Sequence, residues 1–211
     1  MKKALIIAIG AYPSPYQIRS PPNDLTNWNT TLLGRGFTSI TQLTEAGATR
    51  ANILTAMNAF ALSIGPNDSA VFVFSGHGAY LTDDNGDELD GRDECIVSVD
   101  MQPVRDDEIW TILGQIPYTA VLDVVLECCF ADNSTTNRRL WAACLEGETS
   151  YEVLSGGLWQ GIFSLYLCWA LRAYPGIPAS TVIAVVSYYV TRLIPTQHPQ
   201  LKGSNLGNVP F

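Results

Sequence analysis

Apolar runs rich in β-branched residues alternate along this chain with amphipathic stretches of helical period, and that alternation leaves few folds open. Ala4 to Ile9, Ile40 to Leu43, Ala70 to Phe74, Val121 to Leu126 and Leu140 to Leu145 read as strands. Between them Leu25, Trp28, Leu32 and Leu33 share one helical face and Ile53, Met57 and Phe60 another, with Pro22-Asn23 and Thr49 as starts. Two further helical segments, Leu158 to Ala173 and Thr181 to Ile194, flank Pro175-Gly-Ile-Pro178. Strands that are apolar on both faces and separated by helices belong to a mostly parallel sheet covered on both sides, so the expected fold class is α/β, a three-layer α/β/α sandwich. With 211 residues, one domain is expected.

Two strands end on reactive side chains. Ala70-Val-Phe-Val-Phe-Ser-Gly-His77-Gly78 delivers an imidazole, and Val121-Leu-Asp-Val-Val-Leu-Glu127-Cys128-Cys129 delivers thiols; Cys129 follows His77 by 52 residues. Parallel strands bring their C-terminal ends to one edge, and a thiol attacks a carbonyl well only as a thiolate with a base beside it. The chain has two histidines. His77 stands in Ser-Gly-His-Gly, where small neighbours leave the ring and the backbone N–H groups accessible, whereas His198 lies in the Pro-rich Thr196-Gln-His-Pro-Gln, so His77 is the candidate base. Strand alternation sends one of Cys128 and Cys129 into a packed layer and the other toward the cleft, without saying which. Cys95, Cys144 and Cys168 lie in apolar runs and read as buried small hydrophobes. The irregular stretches Ala79 to Glu94 and Ala131 to Arg139 each follow a reactive position and are expected to rim the same site.

Composition narrows the partners. Five cysteines without CxxC spacing argue against a disulfide framework or a structural zinc site. A net charge of −8 disfavours nucleic acid and favours a basic peptide or a divalent cation. No window approaches the roughly 18 apolar residues of a membrane span, and the apolar run after Met1-Lys-Lys is short for a secretory core, so a cytoplasmic protein with reduced thiols and no membrane partner is expected.

Ala4-Leu-Ile-Ile-Ala-Ile-Gly-Ala-Tyr12, Pro22-Asn-Asp24, Ser75-Gly-His-Gly78, Gly86-Asp-Glu-Leu-Asp-Gly-Arg-Asp-Glu94, Asp106-Asp-Glu-Ile109 and Glu127-Cys-Cys129, in this order and spacing, resemble a metacaspase or bacterial orthocaspase. Ala143 to Glu152, Gly161-Ile-Phe-Ser164 and Gln197-His-Pro-Gln-Leu201 are similar to the family's C-terminal part. A histidine roughly 50 residues upstream of a cysteine is itself a caspase signature. The resemblance implies a caspase-like sandwich over residues 1–211, with a large-subunit-like part at 1–132 and a small-subunit-like part at 140–211, and it implies a monomer. It also implies a cysteine endopeptidase in which Cys129 is the nucleophile, His77 the base, and the N–H groups of Gly78 and Cys129 the oxyanion donors. Cys128 then becomes the packing thiol.

The same likeness places substrate-pocket acids at Asp24 and Glu127, with Ser75 beside them, a pocket for Arg or Lys. From position alone Asp24 reads equally as a helix cap. Glu127 ends an apolar strand, where an ionisable tip needs a partner or the open sheet end. Asp83 to Glu94 carries seven carboxylates and one Arg, either a solvated loop or a calcium binder; Asp83, Asn85, Asp87 and Glu94 fall at EF-hand offsets, but Glu88 occupies the glycine position. The family's calcium acids match Asp93, Asp106 and Asp107, while the position of a fourth is Thr136. Asp106 and Asp107 equally suit the first turn of a helix Glu108 to Leu113. Phe130-Ala-Asp132 replaces the family's His-Ser-Gly, and Arg138-Arg139 offers a basic site for self-cleavage. The expected function is peptide hydrolysis after Arg or Lys with no obligatory cofactor and calcium as the optional one; a catalytically silent caspase-like scaffold and a calcium-responsive acidic module are the alternatives.

Overall fold

The computed structural model describes residues 1–83, 86, 91–129 and 138–211, with Cys129 described by its backbone. Its centre is a six-stranded sheet of β1 (Lys2–Ala8), β2 (Ser39–Thr44), β3 (Ser69–Ser75), β7 (Val121–Cys129), β8 (Arg138–Cys144) and β11 (Gln200–Gly203) in the order β11-β8-β7-β3-β1-β2. All neighbours are parallel except β11, which runs antiparallel to β8. Between these strands lie a hairpin sheet of β4 (Gly78–Thr82), β5 (Arg92–Val97) and β6 (Pro103–Arg105), and a second hairpin of β9 (Glu152–Ser155) and β10 (Leu158–Gly161).

Helices α2 (Arg50–Ser63) and α3 (Asp106–Leu113) cover one face of the large sheet, and α1 (Pro21–Gly34), α4 (Ile162–Ala173) and α5 (Ala179–Leu193) cover the other. Alternation along each strand feeds both layers: Leu5, Ile7, Phe72, Phe74, Leu122 and Val124 pack with the first, and Ala4, Ile6, Val71, Val73, Val125 and Trp141 with the second. Double coverage is why the strands carry unbroken apolar runs. The prolines at the first two positions of α1 suit a helix start that has no intrahelical use for their missing N–H groups. Thr49 caps α2 by accepting from the Asn52 N–H.

The α/β/α expectation therefore holds, with local corrections. The stretch Ala79 to Glu94, expected to be irregular, holds most of β4 and the start of β5. The helix expected from Leu158 begins only at Ile162, because Gly156 and Gly157, both at positive φ, turn the chain into the β9–β10 hairpin first. Leu33 lies on the exposed side of α1. Arg138 and Arg139, expected in a loop, open β8 and are buried, because each guanidinium has internal acceptors.

Candidate active site

Because β1, β3, β7 and β8 are consecutive parallel neighbours in the sheet, their C-terminal ends form one edge, and a cleft of about 320 Å³ opens there. Its walls include Gln17 from the segment after β1, His77 from the end of β3, and residues 149–152 from the segment after β8. Ser75, Glu127 and Gly161 also line it. Register explains the pairing of the first two, since Ser75 sits opposite Glu127 where β3 and β7 run side by side.

The His77 ring is held from two directions. Its Nε2 lies 2.7 Å from the Tyr16 carbonyl oxygen, and its ring centroid is 4.6 Å from that of Tyr12. A carbonyl only accepts, so Nε2 carries the proton and Nδ1 keeps a lone pair able to take another. The backbone is fixed as well: the His77 N–H donates to the Tyr12 hydroxyl, which donates to the Val97 carbonyl, and the Val97 N–H donates to the His77 carbonyl. Tyr12 and Tyr16 are positioning groups that sequence reading missed, since their use depends on how the loop after β1 folds over β3.

The acids are arranged as a buried pair. Asp24, fully buried in the first turn of α1, accepts from the Ser75 hydroxyl at 2.8 Å and the Gly161 N–H at 2.9 Å, and it lies behind the cleft surface. It does not cap its own helix, so its position there is set by partners on β3 and β10. Glu127 lines the cleft and accepts from the Ser150 hydroxyl at 2.8 Å, from the Ser164 N–H and hydroxyl, and from the Phe163 N–H. Phe163 and Ser164 belong to the first turn of α4, whose orphan N–H groups favour an anion. Ser164 is free to donate because its own oxygen accepts from Trp28.

Burial, and after it the charge of Glu127, pushes Asp24 up to about 8, and burial pushes Glu127 up as well. Glu127 accepts from two backbone N–H groups beside the Ser150 and Ser164 hydroxyls, and Asp24 from one, Gly161, beside the Ser75 and Ser20 hydroxyls; because a backbone N–H cannot reverse, the fixed donors favour Glu127 as the ionised member and Asp24 as the one that takes a proton. Among the described residues neither acid has an ion-pair partner. The cleft floor is thus acidic without internal compensation.

The thiols divide as follows. Cys128 is 3% exposed and packs in the α2–α3 layer with Leu126, with part of its surface on the cleft. The backbone of Cys129 ends β7 opposite Cys144, just past a slip in the β7–β8 register. The Cys129 side chain, Phe130-Ala131-Asp132 and Thr136 lie outside the described residues. Cys95, Cys144 and Cys168 are buried, and burial pushes the thiols of Cys95 and Cys168 up to about 11 and about 12, out of range for a nucleophile.

The expected calcium acids are dispersed in role. Asp93 on β5 is buried and ion-paired with Arg105, while Asp106 and Asp107 open α3, where negative charge complements the helix dipole. Among the described residues no three Asp, Glu, His or Cys side chains converge to hold a metal ion. Asp84, Asn85, Asp87, Glu88 and Asp90 of the acidic stretch lie outside the described residues.

Against known proteins, residues 2–136 match the family model for the metacaspase, peptidase C14 domain. The chain belongs to the metacaspase family. It is 36% identical over 141 residues to Metacaspase-2 of Arabidopsis thaliana, covering 61% of this chain and 34% of that protein. It is also 36% identical over 139 residues to Metacaspase-1A of Aspergillus clavatus, covering 58% and 32%. This metacaspase chain thus matches about a third of the length of these curated relatives. The crystal structure of protein GSU0716 from Geobacter sulfurreducens superposes with a TM-score of 0.81 over 99% of this chain and 97% of that one, at 18% identity, a likeness of fold. No helix among the described residues is long and apolar enough to cross a membrane.

Proposed function

We propose that this metacaspase chain is a cysteine endopeptidase that cuts after Arg or Lys, with Cys129 as nucleophile and His77 as its proton carrier. The observation that carries this reading is an uncompensated acid pair, Asp24 and Glu127, under the cleft whose wall is a histidine with Nε2 already engaged. A guanidinium or ammonium entering beside Ser75 meets the ionised Glu127 directly, with Asp24 behind it, and supplies the countercharge that Glu127 lacks.

In the reaction the Cys129 thiol gives its proton to Nδ1 of His77, and the thiolate attacks the carbonyl carbon after the basic residue. The carbonyl oxygen becomes an oxyanion facing the N–H groups of Gly78 and Cys129. The C–N bond then breaks, and the departing amine takes the proton from Nδ1. Water, deprotonated by the same nitrogen, cleaves the thioester and restores the thiol. Imidazolium is tolerated in the middle of this cycle because the Tyr16 carbonyl accepts from Nε2–H throughout.

The test is turnover of fluorogenic peptides ending in Arg, Lys or Asp, with calcium or with chelator. Arg and Lys peptides are expected to be cut and Asp peptides refused, and Cys129→Ala and His77→Ala each to abolish turnover. Full activity in chelator is expected, since Asp93 already holds an internal cation. Loss of activity in Cys128→Ala with Cys129→Ala active would reverse the thiol assignment, and no turnover under any condition would leave the silent scaffold standing.

A further inference from the structure

We infer that Gln197 is a positioning residue for the specificity pocket, acting through Ser150 on Glu127; this rests on the basic-residue pocket proposed above. Gln197 lies in the link between α5 and β11 and is fully buried. Its Oε1 accepts from the Tyr151 N–H at 3.1 Å, and its Nε2 donates to the Ala143 carbonyl at 3.0 Å and to the Ser150 hydroxyl at 3.4 Å.

An amide nitrogen has hydrogens to give and nothing to accept with, so the Ser150 oxygen is obliged to receive from it. The single Ser150 proton then points the other way, onto Glu127 Oε1 at 2.8 Å. The direction of the chain Gln197 to Ser150 to Glu127 is therefore fixed by the far end, and Glu127 is kept as an acceptor, the charged form that a basic side chain needs. Ser150 has no helix or strand to hold it, because residues 145–151 join β8 to β9 without regular structure. Neighbouring contacts secure the surrounding chain: the Tyr151 carbonyl accepts from the Ile162 N–H, and Glu148 pairs with His198. Among the described residues, Gln197 is the donor that sets which way the Ser150 hydroxyl points.

The experiment is a double-mutant cycle read by calorimetric binding of agmatine, a guanidinium probe, alongside kcat and KM for an Arg peptide. Gln197→Met and Ser150→Ala are each expected to weaken agmatine about tenfold and to raise KM by the same factor with kcat within about twofold. The double variant is expected to bind no more than about twofold worse than either single, because both remove one path. Gln197→Glu keeps the size of the side chain and the acceptor for Tyr151 but loses the donor, so it too should weaken binding, and it serves if Gln197→Met fails to melt cooperatively. Wild-type binding in Gln197→Glu or Ser150→Ala, or losses that multiply in the double variant, would overturn the inference while leaving the pocket intact. A wild-type protein that ignores agmatine would overturn the pocket and this inference together.

Discussion

Glu127 lies across Gly161 so closely that a Cβ on the glycine would stand 2.6 Å from the glutamate carboxyl carbon. Gly161 precedes α4 at φ −60°, a backbone any residue adopts, so the requirement for glycine here is room for the acid and nothing else. The carboxylate cannot swing aside, because Ser150 holds one oxygen and the first turn of α4 holds the other. Gly161→Ala is therefore expected to cost about 1–3 kcal/mol of stability and to lower kcat/KM for Arg peptides at least tenfold, roughly the effect of overpacking a tight site. Thermal melts and peptide kinetics check both. Shortening the acid in Gly161→Ala/Glu127→Asp should recover part of the stability.

Asp24 sets a pH dependence whose sign follows from its surroundings. It faces Glu127, the Ser75 and Ser20 hydroxyls, and from α4 Cys168, whose thiol burial holds up at about 12 and therefore neutral. Raised from 3.8 to about 8, Asp24 is protonated in the folded protein at neutral pH and ionises as pH passes 8. A basic side chain binds better to the ionised pair, so kcat/KM for Arg peptides should climb as pH rises through about 8, and Asp24→Asn should remove that climb. Stability runs the other way: a carboxyl whose folded value is raised contributes fully below its unfolded value near 4, and the contribution is lost as pH rises to about 8. Chemical denaturation between pH 4 and 9 should show wild type losing stability across that window and Asp24→Asn staying flatter.

What could be read from the chain alone follows from where each signal resides. Five of the six strands of the large sheet were legible, β1, β3 and β7 most clearly because strands buried on both faces must be apolar along their length; β11 (Gln200–Gly203), short, polar and partly exposed, carries no such signal. The β9–β10 hairpin was hidden because Leu154 and Leu158 are exposed, which breaks the inside–outside alternation, and because Leu158 onward matches a helix as well as a strand. His77 was identifiable from its own neighbours. Asp24 could not be placed from its neighbours, since its partners Ser75 and Gly161 are 51 and 137 residues away and its position reads equally as a helix cap; its place beside Ser75 came only from the family resemblance. Gln197 escaped notice for the same reason, being 47 residues from Ser150.

Tyr12 joins His77 to the small sheet. Its hydroxyl accepts from the His77 N–H at 3.0 Å and donates to the Val97 carbonyl at 2.8 Å, and burial pushes the phenol up, so it stays a neutral donor. Tyr12→Phe keeps the ring against the imidazole and removes both hydrogen bonds, leaving a backbone donor and an acceptor unpaired. A loss of about 1–3 kcal/mol in stability is expected, with kcat reduced about tenfold and KM for Arg peptides changed less than twofold, since the acid pair is untouched. Steady-state kinetics on Arg peptides separates this from the KM effect expected at Gln197.

Arg138 and Arg139 offered a basic pair for self-cleavage, and their burial argues against cutting there. Arg139 grips both oxygens of Asp123 from Nε at 2.6 Å and Nη2 at 2.7 Å, while Trp141 donates to the same carboxylate at 2.7 Å. Arg138 donates to the carbonyls of Leu113 and Ile116 at the end of α3, and both residues lie in β8, between β7 and β11. A peptidase takes its substrate as an extended, accessible segment, so cleavage after either arginine requires β8 to leave the sheet. Intact-mass analysis after prolonged incubation of active protein is expected to show no product ending at residue 138 or 139. Removing the guanidinium in Arg139→Ala strands the buried Asp123 charge and should cost about 3–5 kcal/mol, whereas Asp123→Leu/Arg139→Leu should restore much of it. If Arg139→Ala melts like wild type, the pair is not what holds β8 in place, and products ending at these arginines become admissible again.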